Sequence, residues 1–395
     1  MAWIWIGVWV ATRALIVADV GFWDHAHRLH LQDVGNYQVW SNHLTDAGSF
    51  PSGEAWQYPP GAGLVMLLPR VGFGSYADSF VALMLIADIA GLVLLAVLGR
   101  RSGNFTGVWV WLLGMPLLGS LPVLRFDLVP TVLVIGALVA IHRRPAWFGA
   151  LAGLGAAIKA WPLVLLFGEW DRRRLGRAAL VAFAAIAVVF LGSALAFGDP
   201  FTFVRGQGDR GLQEEAVATA PWQVWQIVSG NPPPRAVASG SWQIDSGSAE
   251  ALAGVLEWLS LAVLAAAGAW WWARARAIRE GRTDLASAAV SRDFVFTVVL
   301  LVVVTSRVLS TQYMIWLLGL AAVVLSAGTP RLARPAWLIV AATILTTSVF
   351  GSPENTLIRN LILVGATADA CAAMVGRVRR GPAPEALSPA EPSPG

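Results

Sequence analysis

Residues 147–170 read WFGALAGLGAAIKAWPLVLLFGEW. The run is apolar almost throughout. Arg143 and Arg144 precede it, and Arg172, Arg173, Arg174 and Arg177 follow. A helix of about 20 apolar residues crosses the hydrocarbon core of a bilayer. One crossing here would leave the two basic clusters on opposite faces, whereas basic loops of membrane proteins gather on one face. Lys159 and Pro162 resolve the conflict. Proline breaks the helical ladder, and a charge at mid-membrane needs a partner or water. The spacing predicts two half-length helices that meet at Lys159 and return to the same side. Broken helices in a membrane are tolerated where they pack within protein or line a cavity. The stretch therefore predicts a polytopic membrane protein with a solvated cavity at the break.

Further apolar runs lie on both sides, at 3–20, 79–98, 106–123, 128–141, 178–197, 252–272, 294–304, 314–325, 337–350 and 357–374. The expected fold is all-α, with roughly 10–12 transmembrane helices, since about 20 residues make one crossing. The composition agrees: 56% hydrophobic against 13% charged over 395 residues is too apolar for a soluble chain. Many of the 20 Trp sit near run ends, where an amphipathic ring suits the membrane interface. The single cysteine, Cys371, excludes an intrachain disulfide and any cysteine-based metal site. The first run has no basic segment before it and no small-residue cleavage site after it, so it reads as a retained helix. The net charge of +4 comes from arginines clustered between spans, a topology signal and not a nucleic-acid surface.

Those clusters are Arg100 with Arg101, Arg143 with Arg144, Arg172–Arg174 with Arg177, Arg274 with Arg276, Arg279 and Arg282, Arg331 with Arg334, and Arg377 with Arg379 and Arg380. They hold most of the 28 basic residues and are expected in the cytoplasm, with both termini. One domain, 1–376, is expected, with two long extracytoplasmic loops at 21–74 and 198–250. Both are too long to be connectors. The segment 381–395, GPAPEALSPAEPSPG, cannot bury a core and reads as a disordered cytoplasmic tail.

Function is expected on the loop side. Asp33, beside Asn36 and Tyr37, is placed to act as a base on a sugar hydroxyl or else is a helix cap. Asp24 and Asp46 are weaker candidates in the same loop. Tyr58 opens YPPG (58–61), which fixes an extended entry to a short re-entrant or interfacial segment. Tyr58 faces a sugar or anchors at the interface. Arg125 and Asp127, in LRFDLV, form either a surface pair or a grip on a substrate phosphate and hydroxyl. Lys159 neutralises a lipid-linked phosphate or pairs with a buried acid such as Asp127. In the second loop Arg205 and Arg210 suit phosphate, and Gln213, Glu214 and Glu215 suit acceptor hydroxyls. Late in the chain Arg307, Ser310, Gln312 and Tyr313 can reach a phosphate or sugar, with interface anchoring the alternative for Tyr313 and Trp316. Arg13, Asp88 and Arg292 are charges in or near spans without an assigned role. His25, His27, His30 and His43 match no strong ligand spacing, so no metal and no cofactor is expected.

The order DVGNYQVW, YPPG, IKAWPLVLL, RGLQEEA and SRVLSTQYMIWL, running nearly the whole chain, resembles glycosyltransferase family 87. The resemblance implies a GT-C-like fold and a multispanning mannosyltransferase of actinobacterial type. Its donor would be polyprenyl-phosphate-mannose and its acceptor a lipid-anchored or cell-envelope glycan. It carries the acidic base onto Asp33, the lysine beside a proline-broken helix onto Lys159, and the late Ser-x-Gln-Tyr signature onto Ser310, Gln312 and Tyr313. The second-loop motif usually reads Arg-Gly-(Leu/Val)-Gln-Ile-Glu-Ser. Here Glu214 and Ala216 depart from it, and Thr311 stands where proline is common. The implied reaction is an inverting displacement, with Lys159, Arg210 and Arg307 holding the leaving phosphate. A polyprenyl-phosphate arabinofuranose or glucose donor is the nearest alternative. A lipid-linked sugar flippase and an assembly scaffold are the more distant ones.

Overall fold

The computed structural model describes residues 2–22, 26–51, 56–204, 210–238, 240–347 and 352–379, with the side chains of 19–31 left out. Asp24, His25, Arg205 and the tail 381–395 lie outside the described residues, as do the side chains of His27 and His30. Fifteen helices are numbered here. In order they are α1 (Ala2–Phe22), α2 (Ala26–Asp46), α3 (Pro60–Leu67), α4 (Tyr76–Ser102), α5 (Thr106–Gly114), α6 (Leu121–Leu124), α7 (Leu128–Ala140) and α8 (Pro145–Ile158). Then come α9 (Arg172–Phe197), α10 (Ala220–Ser229), α11 (Gly247–Arg279), α12 (Ala288–Thr305), α13 (Tyr313–Ala327), α14 (Ala333–Thr346) and α15 (Pro353–Arg379). One hairpin, β1 (Arg235–Ala238) with β2 (Ser241–Ile244), pairs antiparallel and sets Arg235 opposite Ile244.

Among the described residues, five helices are long and apolar enough to cross a membrane: α4, α9, α11, α12 and α15. Shorter apolar helices fill the space between them. The protein is a multi-spanning, almost entirely α-helical membrane protein. Over the described residues each predicted run is largely helical, with two informative differences. The run 106–123 is not one span: Pro116 opens a 3-10 turn (Met115–Leu118), Gly119 takes a left-handed φ of 57°, and α6 restarts at Leu121–Pro122. The first predicted loop is largely helix. In α2, Val34, Tyr37, Ser41 and Leu44 are buried at spacings of three and four, one stripe of a helix.

The break at Lys159 is as expected. α8 stops at Ile158, Lys159 is extended (φ −145°, ψ 128°), and a 3-10 helix carries Trp161–Gly168. α8 packs along α9 at close range: a Cβ on Gly153 would lie 2.3 Å from the Ala182 carbonyl oxygen. α13 is buried from Met314 to Ser326 and forms the centre of the bundle.

The basic clusters converge at one end. Arg101 donates to the Val139 carbonyl (3.0 Å), and Arg292 to those of Leu138 and Ala327 (both 3.2 Å). Arg274, buried, donates to the carbonyls of Gly168 (3.2 Å) and Leu285 (2.9 Å). Arg282 donates to the Arg377 carbonyl at 3.0 Å, and Arg377 pairs with Asp293 at 3.2 Å. Within the bundle, Arg13 of α1 is held by Asp88 of α4 at 2.7 Å, which also accepts from Trp9, so both charges are paired.

Candidate active site

The extended backbone at Lys159 turns its side chain off the helix axis. Its Nζ meets Asp127 Oδ1 at 2.7 Å, the salt bridge offered above as the structural alternative. Asp127 precedes the first residue of α7, where the helix dipole favours a negative charge. Its Oδ1 also accepts from Trp316 Nε1 at 2.9 Å. Trp316 is therefore a buried strut and not a bilayer anchor. Four rings surround the ammonium, with centroids at 5.3 Å (Tyr58), 5.2 Å (Phe126), 5.7 Å (Tyr313) and 5.1 Å (Trp316). Aromatic faces attract a cation, most strongly where water is scarce. Trp161, Trp316 and Tyr313 stack in series.

A second ion pair joins Asp33 of α2 to Arg125, at the extended residue after α6. Burial pushes the Asp33 carboxyl up, against the opposing pull of Arg125, and Asp127 adds to the rise. Tyr58 is near both ion pairs: burial raises its phenol, and Arg125, Asp127, Arg210 and Asp33 all act on it. Arg125 and Asp127 are thus each committed to an internal partner.

A cavity of about 620 Å³ opens beside this cluster. Its lining includes Gln57, Tyr58, Lys159, Trp161, Arg210, Arg307, Ser310, Gln312, Tyr313 and Trp316, and Glu257 of α11. Seven of the predicted site residues and signature positions, from four distant segments, therefore share one chamber: Tyr58, Lys159, Arg210, Arg307, Ser310, Gln312 and Tyr313. Asp33, Arg125, Asp127, Gln213, Glu214 and Glu215 are not among its lining residues, although Asp127 meets it through Lys159 and Gln213 through Arg307 and Ser310. Gln213 donates its backbone N–H to the Arg307 carbonyl (3.0 Å), and its amide bonds the Ser310 hydroxyl (3.0 Å). Glu214 pairs with Arg235 at 2.9 Å, and that guanidinium also lies over the Trp242 ring. Glu215 pairs with the fully buried Arg359 at 3.3 Å, and burial raises its carboxyl. Both glutamates are thus held by arginines away from the chamber.

Several donors here have no partner among the described residues. Trp161 Nε1, Arg125 Nε, Arg210 Nε and the Tyr37 hydroxyl are buried and unbonded. Buried polar groups are paired in the great majority of cases, and two of these four, Trp161 and Arg210, line the chamber. No carboxylate among the described residues pairs with Arg210. Arg307 by contrast pairs with Glu257 at 2.6 Å. Glu257 and Arg359 were absent from the sequence candidates, although both stand inside apolar runs, a signal that flags a site by default. Among the described residues no cluster of three His, Cys, Asp or Glu side chains forms a metal site.

This is a multi-spanning enzyme with one polar, cation-lined chamber at the bundle end opposite the arginine clusters. Residues 56–303 match glycosyltransferase family 87, more than half of the chain, and the protein belongs to that family, a glycosyltransferase family of the GT-C class. No curated protein matches the chain. The crystal structure of ArnT from Cupriavidus metallidurans bound to undecaprenyl phosphate is similar at a TM-score of 0.43 and 12% identity, over 87% of this chain and 73% of that one. A likeness that loose transfers neither residues nor ligand.

Proposed function

We propose that the protein transfers a mannosyl residue, with inversion, from polyprenyl-phosphate-mannose to a lipid-linked or cell-envelope glycan on the extracytoplasmic face of the plasma membrane. Both termini are cytoplasmic in this reading. The observation that carries it is the chamber that brings Lys159, Arg210 and Arg307 together with Ser310, Gln312 and Tyr313. Three cations in a partly dehydrated cavity suit a phosphate leaving group, because fixed charges there need no reorganisation as charge develops. The basic clusters at the other end favour an outward site. Charged nucleotide sugars stay in the cytosol, so an outward site needs a sugar carried across on lipid.

In this reaction the Asp33 carboxylate takes the proton of the acceptor hydroxyl. The oxygen attacks the anomeric carbon on the face opposite the phosphate. The bond from that carbon to the phosphate oxygen breaks, and polyprenyl phosphate leaves with the electron pair. Arg125 orients Asp33, and the Lys159–Asp127 pair fixes the ammonium beside the leaving group. Gln312 and Tyr313 face the sugar with Tyr58. Gln213 shapes the acceptor side, and Glu214 and Glu215 hold the segment in place.

The test is transfer by purified protein in proteoliposomes, offered a panel of polyprenyl-phosphate sugars. Mannose transfer is expected. Transfer of arabinofuranose or glucose instead would overturn the donor assignment. Asp33→Asn is expected to lower turnover about 10²–10⁴-fold, the usual share of a general base, with donor binding retained. Full turnover in that variant would remove Asp33 from the mechanism.

A further inference from the structure

Helix α10 faces the wrong way for a helix in water. A surface helix turns its apolar stripe to the core and its polar side chains outward. In α10 a polar residue is inside: Gln223 is buried and donates to Thr219 Oγ1 (2.8 Å) and to the Glu214 carbonyl (3.3 Å), while Gln226 is half-buried and Ser229, at the helix end, is exposed. Outward, at spacings of three and four, stand Pro221, Val224, Trp225 and Val228, with Ile227 beside them. Val228 is 83% exposed and Trp225 48%. A cleft of about 330 Å³ beside the helix is lined by Pro221, Trp222, Trp225, Pro233 and Pro234, with no charged group.

The depth of this face follows from α15, on which α10 packs. Asn360 Nδ2 donates to the carbonyls of Glu215 (3.2 Å) and Ala216 (3.3 Å), just before α10. α15 ends in the basic pair Arg377 and Arg379. A hydrocarbon core of about 30 Å takes about 20 residues counted back from Arg377. Asn360, about 26 Å from Arg377 along the helix, then lies just inside the far edge of that core. Ile358 and Leu361 of α15, at the same level, are exposed apolar residues on a membrane-spanning helix. α10 packs beside this level of α15 and exposes apolar side chains of its own.

We propose that α10 is an interfacial helix whose Val224, Trp225 and Val228 face is seated in the leaflet on the side of the chamber, covered by lipid. An apolar stripe with an aromatic ring and no charge matches the boundary between headgroups and acyl chains. The seat has a consequence for the chamber, which rests on the transferase reading above. Leu212–Ala216 leads into α10, and Gln213 in it is bonded to Arg307 and Ser310. The rim on the acceptor side is thus held at the membrane surface, where an acceptor borne on a lipid presents its sugar.

The test places a nitroxide at Val228→Cys, and separately at Val224→Cys, in a Cys371→Ser background. The protein is reconstituted in phosphatidylethanolamine and phosphatidylglycerol vesicles. Collisions with oxygen and with a water-soluble nickel chelate are compared. Leu361→Cys is the lipid-facing control and Val237→Cys, on the exposed hairpin, the aqueous one. Oxygen preference equal to that at Leu361 is the expected result. Chelate preference like that at Val237 would overturn the proposal in favour of water, and access to neither would overturn it in favour of a protein partner or second copy. The readout needs no turnover, so it stands or falls apart from the transferase reading. Val224→Lys with Val228→Lys is further expected to lower the rate with a lipid-borne acceptor more than with a short water-soluble one. Equal losses would remove the link to the acceptor.

Discussion

Asp33 illustrates how a single residue is tuned. Its carboxyl is raised because burial outweighs the guanidinium of Arg125. If Asp33 is the base proposed above, it must be deprotonated to work, and the acid limb of kcat/KM should lie above the ordinary aspartate value of about 3.9. Arg125 opposes the rise. Arg125→Met should therefore move the limb to higher pH, and a limb that stays or falls would contradict the pairing. Glu257 offers a second case. Its carboxylate holds Arg307 at the chamber wall, where a phosphate would compete for the same cation. Glu257→Gln should bind polyprenyl phosphate more tightly and release it more slowly. The pair is half exposed on the glutamate side, and such pairs are worth about 0.2–1 kcal/mol. The fall in inhibition constant for polyprenyl phosphate should be correspondingly small, a few-fold at most. A rise would mean that Glu257 helps to build the phosphate site. Neither Glu257 nor Arg359 stood out in the sequence, because each is one charge in a run whose length and apolarity already explained it. Partners 50 or more residues away give them their meaning.

At the scale of elements, the break after α8 separates structure from function. Lys159 neutralises Asp127 and also faces the chamber. Lys159→Met alone strands a buried carboxylate, and losing one partner of a buried pair costs about 3–5 kcal/mol. Lys159→Met with Asp127→Leu removes both charges and should recover most of that stability, read as the unfolding midpoint in detergent. Turnover should stay low, since the ammonium proposed to meet the leaving phosphate is gone. Recovery of activity along with stability would reduce the lysine to a strut. The break itself was legible from Lys159, Pro162 and the flanking arginines, because a charge and a proline admit few solutions inside a bilayer. α2 was not. Its buried stripe of Val34, Tyr37, Ser41 and Leu44 is half polar and sits in a segment whose average reads as loop. α10 was hidden for the opposite reason: lipid covers its outer side in the arrangement proposed above, so its pattern is inverted.

For the whole molecule, orientation decides the chemistry. The arginine clusters meet at one end through contacts such as Arg292 to Leu138 and Ala327, and Arg282 to Arg377. The chamber lies at the other end. This segregation was legible in the sequence as a regular alternation of basic and neutral polar breaks. The chamber's internal pairings were not, since nothing local joins Asp33 to Arg125 or Glu215 to Arg359. If the basic loops are in the cytosol, as proposed, Val237 on the hairpin faces outward and Arg334, an exposed residue of a basic cluster, faces inward. In a Cys371→Ser background, a membrane-impermeant maleimide applied to intact cells should label Val237→Cys at once and Arg334→Cys only after permeabilisation. The reverse pattern would open the chamber to the cytosol, where nucleotide sugars are at hand. The requirement for a lipid-carried donor would then lose its basis, even with every distance inside the chamber unchanged.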